Sequence, residues 1–233
     1  GTVYNTGSAG GTTTFTVGAN DHSGSFSGVI ANGAWGTRTT ALVKSGAGTQ
    51  TLGGNNTYKG STIVNNGILA VTGSIVAPDA NGWIVVGNTA ATSARMNVLP
   101  NASVTRYDVQ VGNVDTAPGA IYQSGGTVTV TRAAAVEDLR LGAVASGYGC
   151  YRLSGGTLTA NEIGVGGSLA GAMGVMDVTG GVFNDAGWLC LARGTSGKGI
   201  LTVSGGSVTF GNKMAMNWGG ANNLSVVNVG SGG

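Results

Sequence analysis

Two short signatures recur together along this chain, and they leave little room for any fold other than a stack of similar coils. A Gly-Gly pair followed by a β-prone run appears at Ser124-Gly125-Gly126-Thr127-Val128, Ser154-Gly155-Gly156-Thr157-Leu158, Thr179-Gly180-Gly181-Val182-Phe183 and Ser204-Gly205-Gly206-Ser207-Val208. Between these pairs lies an apolar-x-apolar triplet, usually followed by Gly: Ile84/Val86, Val109/Val111, Leu139/Leu141, Ile163/Val165, Leu189/Leu191 and Met214/Met216. Both markers advance together, and a period of roughly 25 residues, once stretched to about 30, means a solenoid, a propeller or a repeat array. Each period holds about three short alternating segments separated by tight turns, too few for a four-stranded propeller blade, so a solenoid is expected.

One period then reads as one coil. Around Ser154 the segments are Tyr151/Leu153, Leu158/Ala160 after the Gly-Gly turn, and Ile163/Val165 after Asn161-Glu162. Strand alternation puts these residues inside and Arg152, Thr157 and Thr159 outside. The expected fold is all-β: a right-handed parallel β-helix, a three-sided β-solenoid of about 25 residues per coil and roughly nine coils, about 45 Å long. A single coil buries too few apolar side chains to offset the entropy of ordering its backbone, so stability must come from neighbours. The whole of 1–233 reads as a single solenoid, with irregular coils over 1–75 and Gly-Gly-turn coils over 76–233. No capping segment is recognisable. Val229-Gly230-Ser231-Gly232-Gly233 resembles the middle of a repeat, so a longer parent protein is expected, and the ends are candidates for end-to-end packing.

Composition agrees. The chain has 46 glycines in 233 residues, 41% hydrophobic residues and only 9% charged ones. Glycine disfavours helix, while Thr, Val, Asn and Ser favour strands and turns. The glycines lack the three-residue period of collagen, and the apolar content is too high for a disordered linker. A net charge of +2, with Lys44, Lys59, Lys198 and Lys213 scattered, argues against nucleic acid as a partner. No apolar run is long enough to span a bilayer, and Gly1 to Gly10 lack the features of a signal peptide, so membrane insertion by this segment is not expected. Cys150 and Cys190 match neither a zinc-ligand cluster nor a redox pair and are read as free.

The most specific string lies between Leu42 and Val71. Leu42, Lys44, Gly46, Gly48, Thr49, Leu52, Gly54, Asn56, Thr57, Tyr58, Gly60, Thr62, Val64, Gly67, Leu69 and Val71 fall at the fixed positions of the autotransporter-associated β-strand repeat, which this segment resembles. Gly24-Ser25-Phe26-Ser27-Gly28-Val29-Ile30 looks like the segment that often precedes it. The resemblance implies a passenger region of a bacterial type V surface protein, a β-helix that folds outside the cell and serves adhesion, display or matrix. It covers about thirty residues and speaks for architecture more than for activity.

Catalysis needs groups that converge, and the sequence does not point to any. Polysaccharide-cleaving β-helix enzymes gather two or three carboxylates on one face, for acid and base work or for calcium. Asp21, Asp79, Asp108, Asp115, Glu137, Asp138, Glu162, Asp177 and Asp185 read as falling at different phases of the repeat. Glu137-Asp138, the only adjacent pair, reads as a solvated turn, and with Asn184-Asp185 and Asn212-Lys213 in neighbouring coils no acidic row is expected. His22 has no second histidine and reads as a loop residue. Trp83 and Trp188 share one phase and read as corner-packing side chains more readily than sugar-stacking platforms. Cys190, flanked by inward Leu189 and Leu191, should point outward, as should Cys150 on another side, so a disulfide between them is not expected.

Outward hydroxyls after the Gly-Gly pair, Ser103/Thr105, Thr127/Thr129/Thr131, Thr157/Thr159 and Ser207/Thr209, should stack into a flat ladder interrupted at Val182/Asn184. The sequence therefore leads to a non-catalytic, extracellular structural or adhesive β-solenoid at a bacterial surface, with no catalytic, metal or cofactor residues. The expected contacts are self-association, end-to-end or lateral, or a surface or polysaccharide. A polysaccharide-binding or polysaccharide-cleaving β-helix is the alternative, and an ice-binding solenoid a minor one.

Overall fold

The computed structural model of the chain describes residues 1–7, 10–33, 38–77, 80–132 and 137–230. Asp79 and Ser231-Gly232-Gly233 lie outside these. Strands are the only regular elements among the described residues, and every pairing between them is parallel. They stack into three ladders that each run along the axis of a β-solenoid.

The third ladder is the simplest to follow. Its nine strands run from Thr12–Val17 and Thr39–Lys44 through Thr62–Val64, Trp83–Val86, Asp108–Val111, Leu139–Leu141, Ile163–Val165 and Trp188–Leu191 to Lys213–Met216. Nine coils are therefore present among the described residues, and the apolar triplets stack as expected: Ile84, Val109, Leu139, Ile163, Leu189 and Met214 lie over one another. All but Met214 are almost completely buried, and their columns form the centre of one continuous core.

The first and second ladders are joined into one sheet, which modifies one sequence expectation. The Gly-Gly pairs do not separate strands by a turn. They lie inside long continuous strands, Gly119–Val130, Tyr148–Ala160, Met173–Asp185 and Lys198–Phe210, whose first halves belong to the first ladder and second halves to the second. The pairing register shifts at Ser124 to Thr127 and at Val178 to Val182, so each pair is a bulge that bends the strand around a corner of the coil. The second glycine has a left-handed backbone, φ +65° at Gly126 and +79° to +81° at Gly156, Gly181 and Gly206. A Cβ on Gly156 would also sit 2.3 Å from the carbonyl oxygen of Gly126 in the coil below. Only glycine meets both conditions without strain.

Side-chain parity follows the sequence reading: Tyr151, Leu153, Leu158, Ala160, Ile163 and Val165 are buried, while Arg152 is exposed and Thr157 and Thr159 are half-buried. The coils are not of equal length. Leu42 pairs with Thr62 and Val109 with Leu139, so one coil takes roughly 20 residues and another about 30, within the span that solenoid repeats tolerate. The irregular coils expected over 1–75 therefore include short ones, built by the segment that carries the repeat motif. In the coil that ends the described residues, Phe210, Met216, Leu224 and Val229 are between 42% and 66% exposed.

Candidate functional site

The polar positions of the 42–71 motif are the first candidates for function, and the fold consumes Lys44, Asn56, Tyr58 and Thr62 internally. Lys44 stands in the inward column below Val64 and Val86 and is completely buried. Its ammonium donates to the carbonyls of Ser45 at 2.6 Å, Gly46 at 2.7 Å and Asn66 at 3.1 Å, closing one corner of the coil. Burial pushes its pKa below the ordinary lysine value, and Asp21 opposes that shift. The Asn56 amide accepts from the backbone N–H of Ile30 and donates to the carbonyls of Gly54 and Ser74, each at 2.9 Å, tying three successive coils. The Tyr58 hydroxyl lies 2.5 Å from that of Thr62, and the guanidinium of buried Arg106 stacks 4.5 Å over the Tyr58 ring while donating to the carbonyls of Tyr58 and Gly60. These groups satisfy the backbone of short coils in which apolar columns are thin. Lys44, Asn56, Tyr58 and Thr62 thus form a polar skeleton, while Thr57 of the same motif is exposed.

The second candidate overturns a sequence expectation. Asp108, Asp138 and Glu162 each directly precede an apolar triplet, so register pairing places them at one phase, in three consecutive coils, as an acidic row on the outer face of the third ladder. Trp83 precedes this row and Trp188 and Lys213 continue it. Nor is Glu137-Asp138 a solvated turn: Glu137 is 3% exposed and Asp138 fully buried. The acids were hidden by unequal coil lengths, and alignment to the triplet instead of to a fixed period would have revealed them.

Each carboxylate in the row has a built-in partner. Asp108 accepts from Arg132 at 2.6 Å, from Arg140 at 2.7 Å and 2.8 Å, and from the Gln110 amide at 3.1 Å. Asp138 accepts from the backbone N–H groups of Asn161 and Glu162 in the next coil, at 2.8 and 3.0 Å. Arg193 donates to Glu162 at 2.9 Å and to Glu137 at 3.4 Å. Glu137 lies over Gly164, where a Cβ would come within 2.5 Å of its carboxylate, so glycine there makes room for the acid. Burial raises the pKa of Glu137, and takes that of Asp138 up to about 6 against the pull of its backbone hydrogen bonds. Asp185 faces inward above Ala160, caps the backbone N–H of Gly187 at 3.1 Å and leaves Oδ2 without a partner. Burial, with Asp138 and Glu162 nearby, raises it to about 7.

Arg193 and Trp218 stand two residues beyond the ends of their third-ladder strands, and both fold back across the outer face. Arg193 reaches Glu162; Trp218 reaches Trp188, with ring centroids 4.4 Å apart. Arg193 also lies 5.0 Å over the Trp218 ring, and the Lys213 ammonium 4.1 Å over that of Trp188. Beside the stacked rings opens a cleft of about 420 Å³ lined by Asn161, Glu162, Trp188, Arg193, Asn212 and Trp218. Cys190 has the outward parity expected of it, yet it is completely buried within this outer layer and its thiol is pushed up to about 12 by burial first and Glu137 next. Both cysteines are free. His22 is exposed in a loop, and no group of three or more metal-ligating side chains occurs among the described residues.

Trp83 and Trp188 share a phase but not a role. The indole N–H of Trp83 donates to the carbonyl of Ala80 at 2.9 Å, as a corner-packing residue does. Among the described residues, neither Trp188 nor Trp218 has an acceptor for its indole N–H. On the second ladder the hydroxyl columns form as expected: Ser103, Thr127 and Thr157 stack, as do Thr105, Thr129 and Thr159, until Val182 and Asn184 interrupt them.

Comparison with known proteins agrees with the architecture. A family model described as Passenger-associated-transport-repeat matches residues 42–71, the segment whose polar skeleton is described above. No curated protein and no solved structure matches the chain significantly.

Proposed function

We propose that this chain is a non-catalytic structural or adhesive stretch of an extracellular surface protein, a solenoid that provides length and contact area. The observation that carries this reading is the fate of its carboxylates. The acids that the fold does align are paired with arginines or spent on backbone amides, and Glu162, which borders a cleft, is held there by Arg193. The passenger-associated repeat at 42–71 supports a secreted or surface location and a passenger role. Incubation with a panel of acidic polysaccharides should yield no new reducing ends and no unsaturated products, while particles coated with the protein should adhere to such polymers or to one another. Turnover on any of them, or failure of coated particles to adhere at all, refutes the reading.

Self-association, end to end or lateral, extends this reading, because parallel ladders can pair with the ladders of another copy. Sedimentation should show concentration-dependent association. A monomer at every concentration rules out this mode.

A further inference from the structure

The cleft beside the stacked Trp188 and Trp218 rings has a chemical bias that its structural duties do not explain. The cations Arg193 and Lys213 and the amide of Asn212 gather around two indoles whose N–H groups have no acceptor among the described residues. Arg193 is committed to Glu162 and Glu137, but Lys213 is exposed, and its ammonium lies over the Trp188 ring without an ion pair among the described residues. The cleft thus offers donors; its one lining carboxylate, Glu162, is held by Arg193, and Lys213 stands over the Trp188 ring next to the lining, beside an aromatic surface of which Trp218 is 37% exposed. A ligand that fits must present several acceptors, one of them anionic, next to a flat apolar C–H face. Pyranose rings bearing a carboxylate have this combination: the ring face packs on an indole, the hydroxyl oxygens accept from Asn212 and the indole N–H groups, and the carboxylate meets Lys213. The volume lies within the range of about 300–1,000 Å³ usual for small-ligand sites.

We propose that this cleft binds a uronate residue of an acidic glycan, with Lys213 and Trp218 as its main determinants. The proposal deepens the surface-contact reading above by naming a place and a ligand class. It predicts that specificity resides in the coils of Trp188 and Trp218 and not in the hydroxyl columns of the second ladder.

The test is a titration of tryptophan fluorescence in the whole chain with tetragalacturonate, and with cellotetraose as the neutral counterpart. Tetragalacturonate should give a saturable change that added salt weakens, and cellotetraose should bind at least ten-fold more weakly. Lys213→Gln, at an exposed position, should lower the affinity about ten-fold, in line with loss of one charge-assisted contact. Trp218→Ala should lower it as much or more, and Thr157→Ala on the second ladder should leave it unchanged. A thermal midpoint for each variant separates loss of the site from loss of the fold. Equal binding of the two sugars, no binding of tetragalacturonate, or undiminished binding by Lys213→Gln overturns the proposal. If coated particles still adhere to polysaccharide in any of these cases, the adhesive reading survives and its contact lies elsewhere.

Discussion

The outer faces of the second and third ladders are built by the same backbone, with the same strand alternation, yet they carry opposite kinds of surface. The second presents columns of Ser and Thr, interrupted at Val182 and Asn184, in which hydroxyls are linked only to their neighbours on the same face, as Thr127 is to Ser103 at 3.5 Å and Thr209 to Asn184 at 2.8 Å. The third buries Asp108, Asp138, Glu162 and Cys190 although all point away from the core. The difference comes from side chains that reach across neighbouring coils. Arg193 and Trp218, just beyond third-ladder strands, fold back to Glu162 and Trp188, while Arg140 within the ladder and Arg132 beyond a second-ladder strand supply the counter-charge of Asp108. The second ladder has no such cover among the described residues. Facing outward in a solenoid is therefore not the same as facing water, and electrostatic weight accumulates where a side chain can reach a neighbouring coil.

This contrast can be broken by substitution. Asp108→Ala should have the largest effect, destabilising the chain by about 3 kcal/mol in urea unfolding, because it strands Arg132 and Arg140 around a buried site; their partial exposure keeps the loss at the lower end of the range for a broken buried pair. A cost below about 1 kcal/mol would show that the outer layer is as replaceable as the hydroxyl face. On the inner side of the same ladder, Lys44→Met keeps most of the side-chain volume but leaves three carbonyls without their donor, and about 2 kcal/mol should be lost.

The buried acids also set a pH dependence. In the unfolded chain the Asp138 and Asp185 carboxyls titrate near 4, whereas in the fold they titrate at about 6 and about 7. Between about pH 4 and pH 7 the folded state thus holds more protons than the unfolded state, and stability falls as the pH rises through that window. Asp185→Asn should remove much of this slope and stabilise the protein at pH 8 by on the order of 1–2 kcal/mol, measurable as a higher urea midpoint. A midpoint that rises with pH from 4 to 7 would contradict the assignment. Thr157→Val, on the other face, should change stability by less than about 0.5 kcal/mol, the value expected at a surface position without buried partners.

Much of this architecture is readable without coordinates, because strand parity and coil phase are local properties. Tyr151/Leu153 and Ile163/Val165 declare their inward orientation by alternation alone. The charged outer layer is not readable in the same way, since its members are brought together by register across coils of unequal length. Asp108, Asp138 and Glu162 look unrelated when counted from one another and fall into line only when each is referred to the triplet after it. Lys44 carries a similar signal: two residues after Leu42, it has the parity of a core position. The cleft escapes the sequence altogether, because nothing in the spacing of Trp188 and Trp218 says that the second indole folds back over its own ladder.

The unequal coil lengths have a consequence for how such a rod can change over time. Val109 and Leu139 stay in register, as Leu42 and Thr62 do, although the chain between the first pair is half as long again as that between the second, so corners absorb every insertion and deletion while the ladders continue undisturbed. A segment spliced into a corner would perturb its own coil and little beyond it. The solenoid is in this sense a rail to which new recognition loops can be added singly, each tried without risk to the rest.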